Sequence, residues 1–191
     1  IALRIIKNGR MGFSSTSNLD DTKALVDAAL ETAPFGAKAH FNFPSLQDYP
    51  DVNGYDDTVD GTTLEEMIAL GENAISHLRS LSDEVQVEGS VSKSISTVSL
   101  INSNGAQVQY PRTRFGLGFE GTVIRGEDML FTFDGQSSIS PLMDSSFVVN
   151  SIERQLRWAM ETATIGNESL PVILLPTAVP SILLSPLLGM T

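Results

Sequence analysis

The sequence contains no cysteine among its 191 residues and only 2 histidines, His40 and His77. The first absence excludes disulfide bonds, a thiolate nucleophile and metal sites with cysteine ligands. The two histidines form neither a His-x-x-x-His nor a His-Glu-x-x-His pair, whereas a hydrolytic zinc site takes about three protein ligands. A Ser-His-Asp triad has no support for the same reason. We therefore expect surface or interface roles for both histidines, and no catalytic, cofactor-binding or metal-binding residue in this chain.

Positive charge is also scarce, because 12 Lys and Arg stand against 23 Asp and Glu, a net charge of −11. Nucleic-acid binding depends on basic residues that neutralise phosphates, so nucleic acid is excluded as a partner. The uncharged run from Leu170 to Met190 is long enough to span a membrane, but prolines interrupt it repeatedly. Proline kinks helices and removes hydrogen-bond donors, so no membrane is expected. A chain without cysteine suits the reducing cytoplasm, where we place it.

Both ends of the sequence resemble interior segments of a longer protein. Strand-like residues 1–7 follow no initiator methionine or signal peptide, and the other end stops inside the apolar run. A hydrophobic content of 41% is sufficient for an ordinary core. We therefore expect one domain over residues 1–169, followed over 170–191 by a strand and the start of a truncated C-terminal domain.

Local signals in the first part of the chain predict a hairpin and two helices. Asn8-Gly9 suits a type I′ turn between two strands. Asn18 is predicted to cap a helix that ends near Ala33, and the capping box Thr63-Leu-Glu-Glu66 opens a second helix. A long connection rich in Asp, Pro, Asn and Gly occupies residues 40–61. The expected buried stripes are Thr22, Leu25, Val26, Ala29 and Ala33, then Met67, Leu70, Ala74, Ile75 and Leu78.

From Glu84 onward the hydrophobic period becomes two, which predicts strands, with turns at Asn104-Gly105 and Gly126. Asp144 or Ser145 is expected to cap a third helix. Its stripe is Val148, Ile152, Leu156, Ala159 and Ala163. The predicted strands are Val85–Val91, Ser94–Asn102, Ala106–Tyr110, Phe115–Arg125, Asp128–Asp134 and Val172–Leu175. This order favours an α+β fold with a largely antiparallel sheet built from hairpins and three main helices.

Two short patterns match enzyme motifs without the partners that those motifs need. The segment Gly116-Leu-Gly-Phe-Glu-Gly121 fits both the dinucleotide fingerprint and the kinase glycine loop. Strand-like sequence follows it where the dinucleotide site needs a helix, and the other kinase elements are missing. Glycines that let a curved strand bend are favoured instead. Ser90-Val-Ser-Lys93 matches the Ser-x-x-Lys of penicillin-recognising enzymes, but it lies between strands and lacks its companion motifs.

The acidic loop over residues 48–60 is the remaining candidate site. Counting from Asp51 as the first position puts Asp56 where an EF-hand loop needs glycine and Thr62 where it needs glutamate. The loop therefore fails the EF-hand pattern. A calcium site of another kind and a solvated loop both remain open, and the solvated loop is favoured.

Taken in order, these elements resemble the N-terminal domain of the TldD/PmbA peptidase family, also called modulators of DNA gyrase. Four segments carry the likeness, and together they span nearly the whole chain. They are Leu3-Arg-Ile-Ile-Lys-Asn-Gly-Arg-Met-Gly-Phe-Ser-Ser-Thr-Ser-Asn18, Tyr55-Asp56 before Leu64-Glu-Glu-Met, Val98-Ser-Leu-Ile-Asn-Ser-Asn-Gly105, and Pro171-Val-Ile-Leu-Leu-Pro176. Phe41-Asn-Phe-Pro and the Tyr49-Pro-Asp51 to Tyr55-Asp56 stretch favour the PmbA-like branch, which lacks the family's metal motif.

The resemblance implies a non-catalytic N-terminal domain of a metallopeptidase subunit that acts in proteolysis or peptide maturation. The family's His-Glu-x-x-x-His zinc motif belongs to the C-terminal domain, so zinc is implied there or in the partner subunit, and no cofactor here. A homodimer, or a heterodimer with a TldD-like catalytic subunit, is implied as well. The expected substrate is a peptide or unfolded protein, enclosed by the dimer.

The strands around Val98–Asn102 and Phe115–Arg125 are candidate walls of a groove, because an exposed strand edge can hold an extended peptide by backbone pairing. Two alternatives remain. One is a stand-alone binding module without an enzymatic parent. The other is a serine hydrolase that uses Ser90 and Lys93.

Overall fold

The computed structural model of the chain describes residues 1–161, 164, 166–176 and 178–189. It confirms an α+β fold with antiparallel sheets built from hairpins, in which α1, α3 and α4 are the three expected helices. The elements are β1 (Ala2–Lys7), β2 (Arg10–Ser15), α1 (Thr22–Thr32), a 3₁₀ turn (Ala33–Phe35), α2 (Thr58–Gly61), α3 (Leu64–Arg79), β3 (Val85–Ile101), β4 (Gln107–Arg125), β5 (Asp128–Ser138), α4 (Ser146–Met160) and α5 (Ala178–Gly189).

The first hairpin forms at the Asn8-Gly9 turn, as predicted. Asn8 has a φ of 52° and Gly9 a φ of 72°, and these left-handed conformations match the twist of a two-residue hairpin. The hairpin pairs β1 with β2 in an antiparallel two-stranded sheet. Helix α1 packs on this sheet through Leu25 and Ala29, which are buried.

Helix α1 begins later than the sequence suggested. The carboxylate of Asp21 accepts a hydrogen bond of 2.9 Å from the backbone N–H of Ala24 and is the N-cap. Asn18 instead accepts from the N–H of Asp20 in the preceding turn. Asn and Asp cap helices about equally well, so local sequence could not separate these two positions, and the prediction of Asn18 as the cap was wrong.

Helix α3 opens with the predicted capping box. The N–H of Glu66 donates to Thr63 Oγ1 at 3.2 Å, and the N–H of Thr63 donates to Glu66 Oε2 at 2.8 Å. These hydrogen bonds from Thr63 lower the pKa of Glu66 below its ordinary value. The box fixes where the helix starts, and its buried stripe follows as predicted at Met67, Leu70, Ala74 and Leu78.

The capping box predicts an acid-sensitive contribution to stability. Because the folded protein lowers the pKa of Glu66, this contribution is present above the ordinary pKa and is lost as the pH falls through the folded value. We expect Glu66→Ala to be less stable than the parent at pH 6.5, with the difference shrinking toward pH 3. Urea unfolding of both proteins at the two pH values measures this. An unchanged difference would contradict the assignment, and Glu65→Ala is the control.

The second sheet is a three-stranded antiparallel meander in the order β3-β4-β5. The sequence predicted breaks near Ser92 and Arg112, but β3 and β4 each run unbroken and pair from Val85↔Val123 to Ile101↔Gln107. Cross-strand pairing over the whole hairpin overrides the locally polar stretches. One face of this sheet packs on α3 and α4 through a buried core that includes Val87, Phe115, Leu117, Phe119, Leu78 and Ile152.

The C-terminal segment differs from its prediction. Residues 172–175 belong to no strand in the part of the chain that the structure describes, and α5 follows them with Pro186 inside the helix. An apolar run becomes a strand only when a partner strand pairs with it, and the local sequence does not show whether such a partner exists. Ala163 of the predicted third stripe lies outside the described residues, whereas Val148, Ile152 and Leu156 are buried as expected.

Candidate functional site

One edge of β3 pairs with no other strand in the described chain, and only near its start does an outward group have a partner, where the carbonyl of Val87 accepts from Arg79. The single strand neighbour of β3 is β4, whereas β4 pairs over Phe115–Arg125 with both β3 and β5. The expectation of an exposed edge near Val98–Asn102 therefore agrees with the structure. For Phe115–Arg125 the expected exposed edge was wrong, because that segment is the central strand of the sheet, although its Gly116 and Gly118 do line a groove.

Backbone groups at alternate positions of β3 point to this free edge. The N–H of Asn102 donates to the carbonyl of Ala106, and the N–H of Thr113, which lies opposite Ile95, donates away from β3 to the carbonyl of Gly54. Alternation along a strand then directs the N–H and C=O groups of the odd-numbered residues outward. Pro111 agrees with this register, since it lies opposite Thr97 and has no N–H to donate.

The edge of β4 beyond β5 is not free in the same way, because the long connection runs along it. Ser45 forms an isolated bridge with Gly105, and Asn102 Nδ2 donates to the carbonyl of Pro44 at 2.9 Å. The bond from Thr113 to Gly54 continues this cover. The connection therefore protects one edge of the β3–β4 hairpin and leaves the β3 edge open.

A shallow groove of about 360 Å³ crosses the sheet face that lies opposite the helices. Gly116, Gly118 and Gly135 have no side chain and form its floor. The side chains around it come from all three strands: Ser90, Ser92, Arg114, Phe133 and Ser137. Phe133 is 64% exposed. The groove opens toward the β3 edge through the two serines, so the groove and the edge form one continuous candidate site.

The glycines of the Gly116–Gly121 motif do not form a phosphate-binding loop. Some of them form the floor of the groove, and Gly121 allows close packing on the opposite face of the sheet. Gly116, Gly118 and Gly121 lie in the regular ladder of β4 with no positive φ, so no break in pairing occurs at them, and the expected role in bending the strand stays a prediction. Gly121 faces α4, where an added Cβ would approach Thr132 Oγ1 to 2.9 Å. Close packing and an open floor explain these glycines.

The structure does not bring Ser90 and Lys93 together. Three residues apart on a strand, their side chains point to opposite faces of the sheet. Lys93 Nζ donates to the carbonyls of Asp60 at 2.8 Å and Thr62 at 2.7 Å, where it satisfies the C-terminal end of α2. The geometry that a Ser-x-x-Lys hydrolase requires is absent from this pair.

The acidic loop forms a separate shallow pocket of about 310 Å³ lined by Asn53, Tyr55, Asp56, Asp57, Ile139 and Ser140. Hydrogen bonds from the Ser140 and Thr58 side chains, and from the Thr58 N–H, lower the pKa of Asp56. These donors are protein groups, so the carboxylate of Asp56 already has partners. The loop here is held by Asx-type hydrogen bonds.

The described residues do not fit a zinc site. Within residues 1–161 and the shorter described segments, no group of three or more His, Cys, Asp or Glu could hold a metal ion. His77 Nε2 lies 3.1 Å from Glu153 Oε2, and this contact together with Arg157 lowers the pKa of Glu153. His40 is exposed on the long connection, apart from His77. Neither histidine contributes to the groove.

Comparison with protein families decides the affiliation. Residues 57–164 match the model for the PmbA/TldA metallopeptidase central domain, and residues 1–33 match that for PmbA/TldA metallopeptidase domain 1. The chain belongs to the PmbA/TldD family. No curated protein matches its sequence. The two matched regions correspond to the β1–β2–α1 unit and to the β3–β4–β5 meander with its helices.

Three solved structures share this PmbA/TldD fold at low sequence identity. TldE from Thermococcus kodakarensis superposes with a TM-score of 0.61 at 17% identity, covering 83% of this chain and 37% of its own. A candidate modulator of DNA gyrase from Bacteroides thetaiotaomicron superposes with a TM-score of 0.66 at 18% sequence identity. The match covers 82% of this chain and 38% of the Bacteroides chain. Another candidate modulator of DNA gyrase, from Thermotoga maritima, superposes with a TM-score of 0.62 at 14% sequence identity. The match covers 89% of this chain and 38% of the Thermotoga chain. The chain thus spans less than two fifths of each relative.

No helix in the described part of the chain is long and apolar enough to cross a membrane.

Among the site residues, the sequence indicated the β3 edge but did not show that Arg114, Phe133 and the glycine floor form one surface. A usable signal was present, because Ser90, Ser92, Ser94 and Ser96 alternate along β3. Their period of two marks one face of a strand whose side chains are all short.

Proposed function

We propose that the chain is a non-catalytic domain of a PmbA/TldD metallopeptidase subunit. In this proposal it takes part in proteolysis or peptide maturation in the cytoplasm by holding an extended peptide or unfolded segment against the free edge of β3. The family match supports the peptidase context, and the unpaired edge of β3 is the observation that carries the binding role. The proposal assigns cleavage, and the zinc that would support it, to a C-terminal domain or to the partner subunit.

Strand addition is the recognition mode that fits the edge. Main-chain hydrogen bonds supply the affinity in this mode, so it suits unfolded substrates of varied sequence. The odd-numbered residues between Gly89 and Ile101 offer outward N–H and C=O groups. A soluble protein normally protects such an edge, and here the connection covers β4 while β3 stays open.

Replacing Thr97 by proline is expected to weaken peptide binding by on the order of 10-fold, because it removes an outward donor and its ring obstructs pairing. The change leaves the β3–β4 ladder intact, since proline already occupies the opposite position at Pro111. The measurement is fluorescence anisotropy of the intact protein with a labelled dodecapeptide of alternating Thr and Gln.

Thr97→Ala is the matched control, because it keeps the N–H and changes the same side chain. Both variants should retain a thermal midpoint close to that of the parent. Equal peptide affinity for Thr97→Pro, Thr97→Ala and the parent would show that peptides do not pair with this edge, and the binding role would be withdrawn.

We also propose that the subunit forms a homodimer or pairs with a TldD-like catalytic subunit, and that the dimer encloses the substrate. Met129, Phe131 and Phe133 support an interface on this face, because they stand in a row on β5 and each is more than half exposed. Sedimentation of the intact protein, alone and with the catalytic subunit, tests the pairing. A monomer under both conditions would refute it.

A further inference from the structure

Two arginines on the groove face have no partner in the part of the chain that the structure describes. Arg112 and Arg114 lie two residues apart on β4, both are exposed, and neither side chain forms a hydrogen bond or ion pair in that part of the chain. Two residues on one face of a strand are about 7 Å apart. In a chain with a net charge of −11, two neighbouring arginine side chains without such partners mark a local concentration of positive charge.

The residues between these arginines and the open edge are small. Arg114 lies opposite Ser94 and Arg112 opposite Ser96, so only serine side chains separate the guanidinium groups from the β3 edge on this face. A peptide paired with β3 would lie about 5 Å beyond it and therefore about 10 Å from β4. An extended arginine side chain that leans over a serine covers most of that distance.

On the strands themselves, the negative charge of this face lies farther away, whereas the acidic connection bonds to β4 at Thr113 on the side away from β3. Glu88 and Glu120 are opposite one another, six residues along each strand from Ser94 and Arg114, which corresponds to about 20 Å. This separation exceeds the screening length of about 8 Å at physiological salt. On the side of β4 that faces β3, the arginines therefore present positive charge toward the middle of the β3 edge.

We propose that the β3 edge selects acidic extended segments, with Asp or Glu at alternate positions of the bound strand beside Arg114 and Arg112. This inference rests on the proposed peptide-binding role and names its substrate class. In a bound strand, side chains at alternate positions share one face, and their spacing of about 7 Å equals that of the two arginines. Guanidinium groups bind carboxylates in a bidentate manner, which gives the preference a geometric basis.

The test compares three labelled dodecapeptides that differ in one residue type: alternating Thr and Glu, Thr and Gln, and Thr and Lys. We expect the intact protein to bind the Glu peptide about 5-fold more tightly than the Gln peptide in 50 mM salt, and the Lys peptide most weakly. The double variant Arg112→Gln/Arg114→Gln should bind the Glu and Gln peptides equally. The preference of the parent should also shrink in 500 mM salt, because exposed ion pairs are screened.

Arg154→Gln is the matched control, since Arg154 is an exposed arginine of α4 that lies over Trp158, away from the groove face. It should keep the full preference for Glu. Equal binding of the Glu and Gln peptides by the parent, or an unchanged preference in the double variant, would overturn the inference. The proposed function fails separately, when Thr97→Pro leaves binding of every peptide unchanged.

Discussion

Replacing Phe119 by alanine is expected to lower the free energy of unfolding by about 3–5 kcal/mol. Phe119 is 1% exposed and belongs to the core between the sheet and helices α3 and α4. Its ring also fills the space above Gly89, where an added Cβ would lie 2.3 Å from the ring. Truncation therefore removes buried apolar area and leaves a cavity that a glycine neighbour cannot fill. Urea unfolding of the parent and the variant measures the loss.

Phe131→Ala is the matched control on the opposite face of the same sheet. Phe131 is 59% exposed in the single chain, so we expect a change below about 1 kcal/mol when unfolding is measured at concentrations where the chain is monomeric and the proposed pairing does not contribute. A loss at Phe131 as large as that at Phe119 would contradict the assignment of the two faces. It would also remove the structural basis for a groove on the Phe131 side.

Replacing Gly12 by valine is expected to destabilise the β1–β2–α1 unit by about 3 kcal/mol or more. Strand β2 and helix α1 approach closely at Gly12, where an added Cβ would lie 2.1 Å from the backbone carbonyl oxygen of Ala29. Because the obstacle is backbone rather than a flexible side chain, the helix must shift away from the sheet. Hydrogen exchange should report faster exchange over residues 1–33 in the variant.

Gly61→Ala is the control for the glycine prediction. Gly61 ends α2 without a positive φ, and an added Cβ meets nothing within 4 Å. Its replacement should change stability by less than about 1 kcal/mol, in the stabilising direction. Unchanged exchange over residues 1–33 in Gly12→Val would show that α1 and β2 are not packed at this distance.

The features predicted correctly from the sequence are those that depend on interactions between residues close together in the chain. Asn8 and Gly9 specify their turn through their own tolerance of positive φ, and Thr63 and Glu66 satisfy each other within one helical turn. The alternation after Glu84 predicted strands, and the order of hairpins predicted an antiparallel sheet. Each of these signals is complete within a few residues, so no knowledge of distant partners was needed.

The candidate site needed distant partners, and the sequence located it only in part. An exposed edge near Val98–Asn102 was expected and is present, whereas the edge expected at Phe115–Arg125 is covered because β5 pairs with it. The groove depends on residues from three strands, since Ser92, Gly116 and Ser137 meet only through the register of the sheet. Sequence spacing along one strand cannot reveal such a meeting.

By itself, the sequence determined the fold class, the hairpins, the capping box of α3 and the core-facing stripes of α3 and α4. For α1 the predicted stripe was right at Leu25 and Ala29 and wrong at Thr22 and Val26, which are exposed.

The tertiary structure decided which strand edge stays open and that Ser90 and Lys93 lie on opposite faces. It also decided that the side chains of Arg112 and Arg114 have no partner among the described residues. The physical reason is the separation along the chain between the residues that interact. Turn and cap energies arise between neighbours in the chain, whereas an edge, a groove or an unpaired charge is defined by what the rest of the fold places beside it.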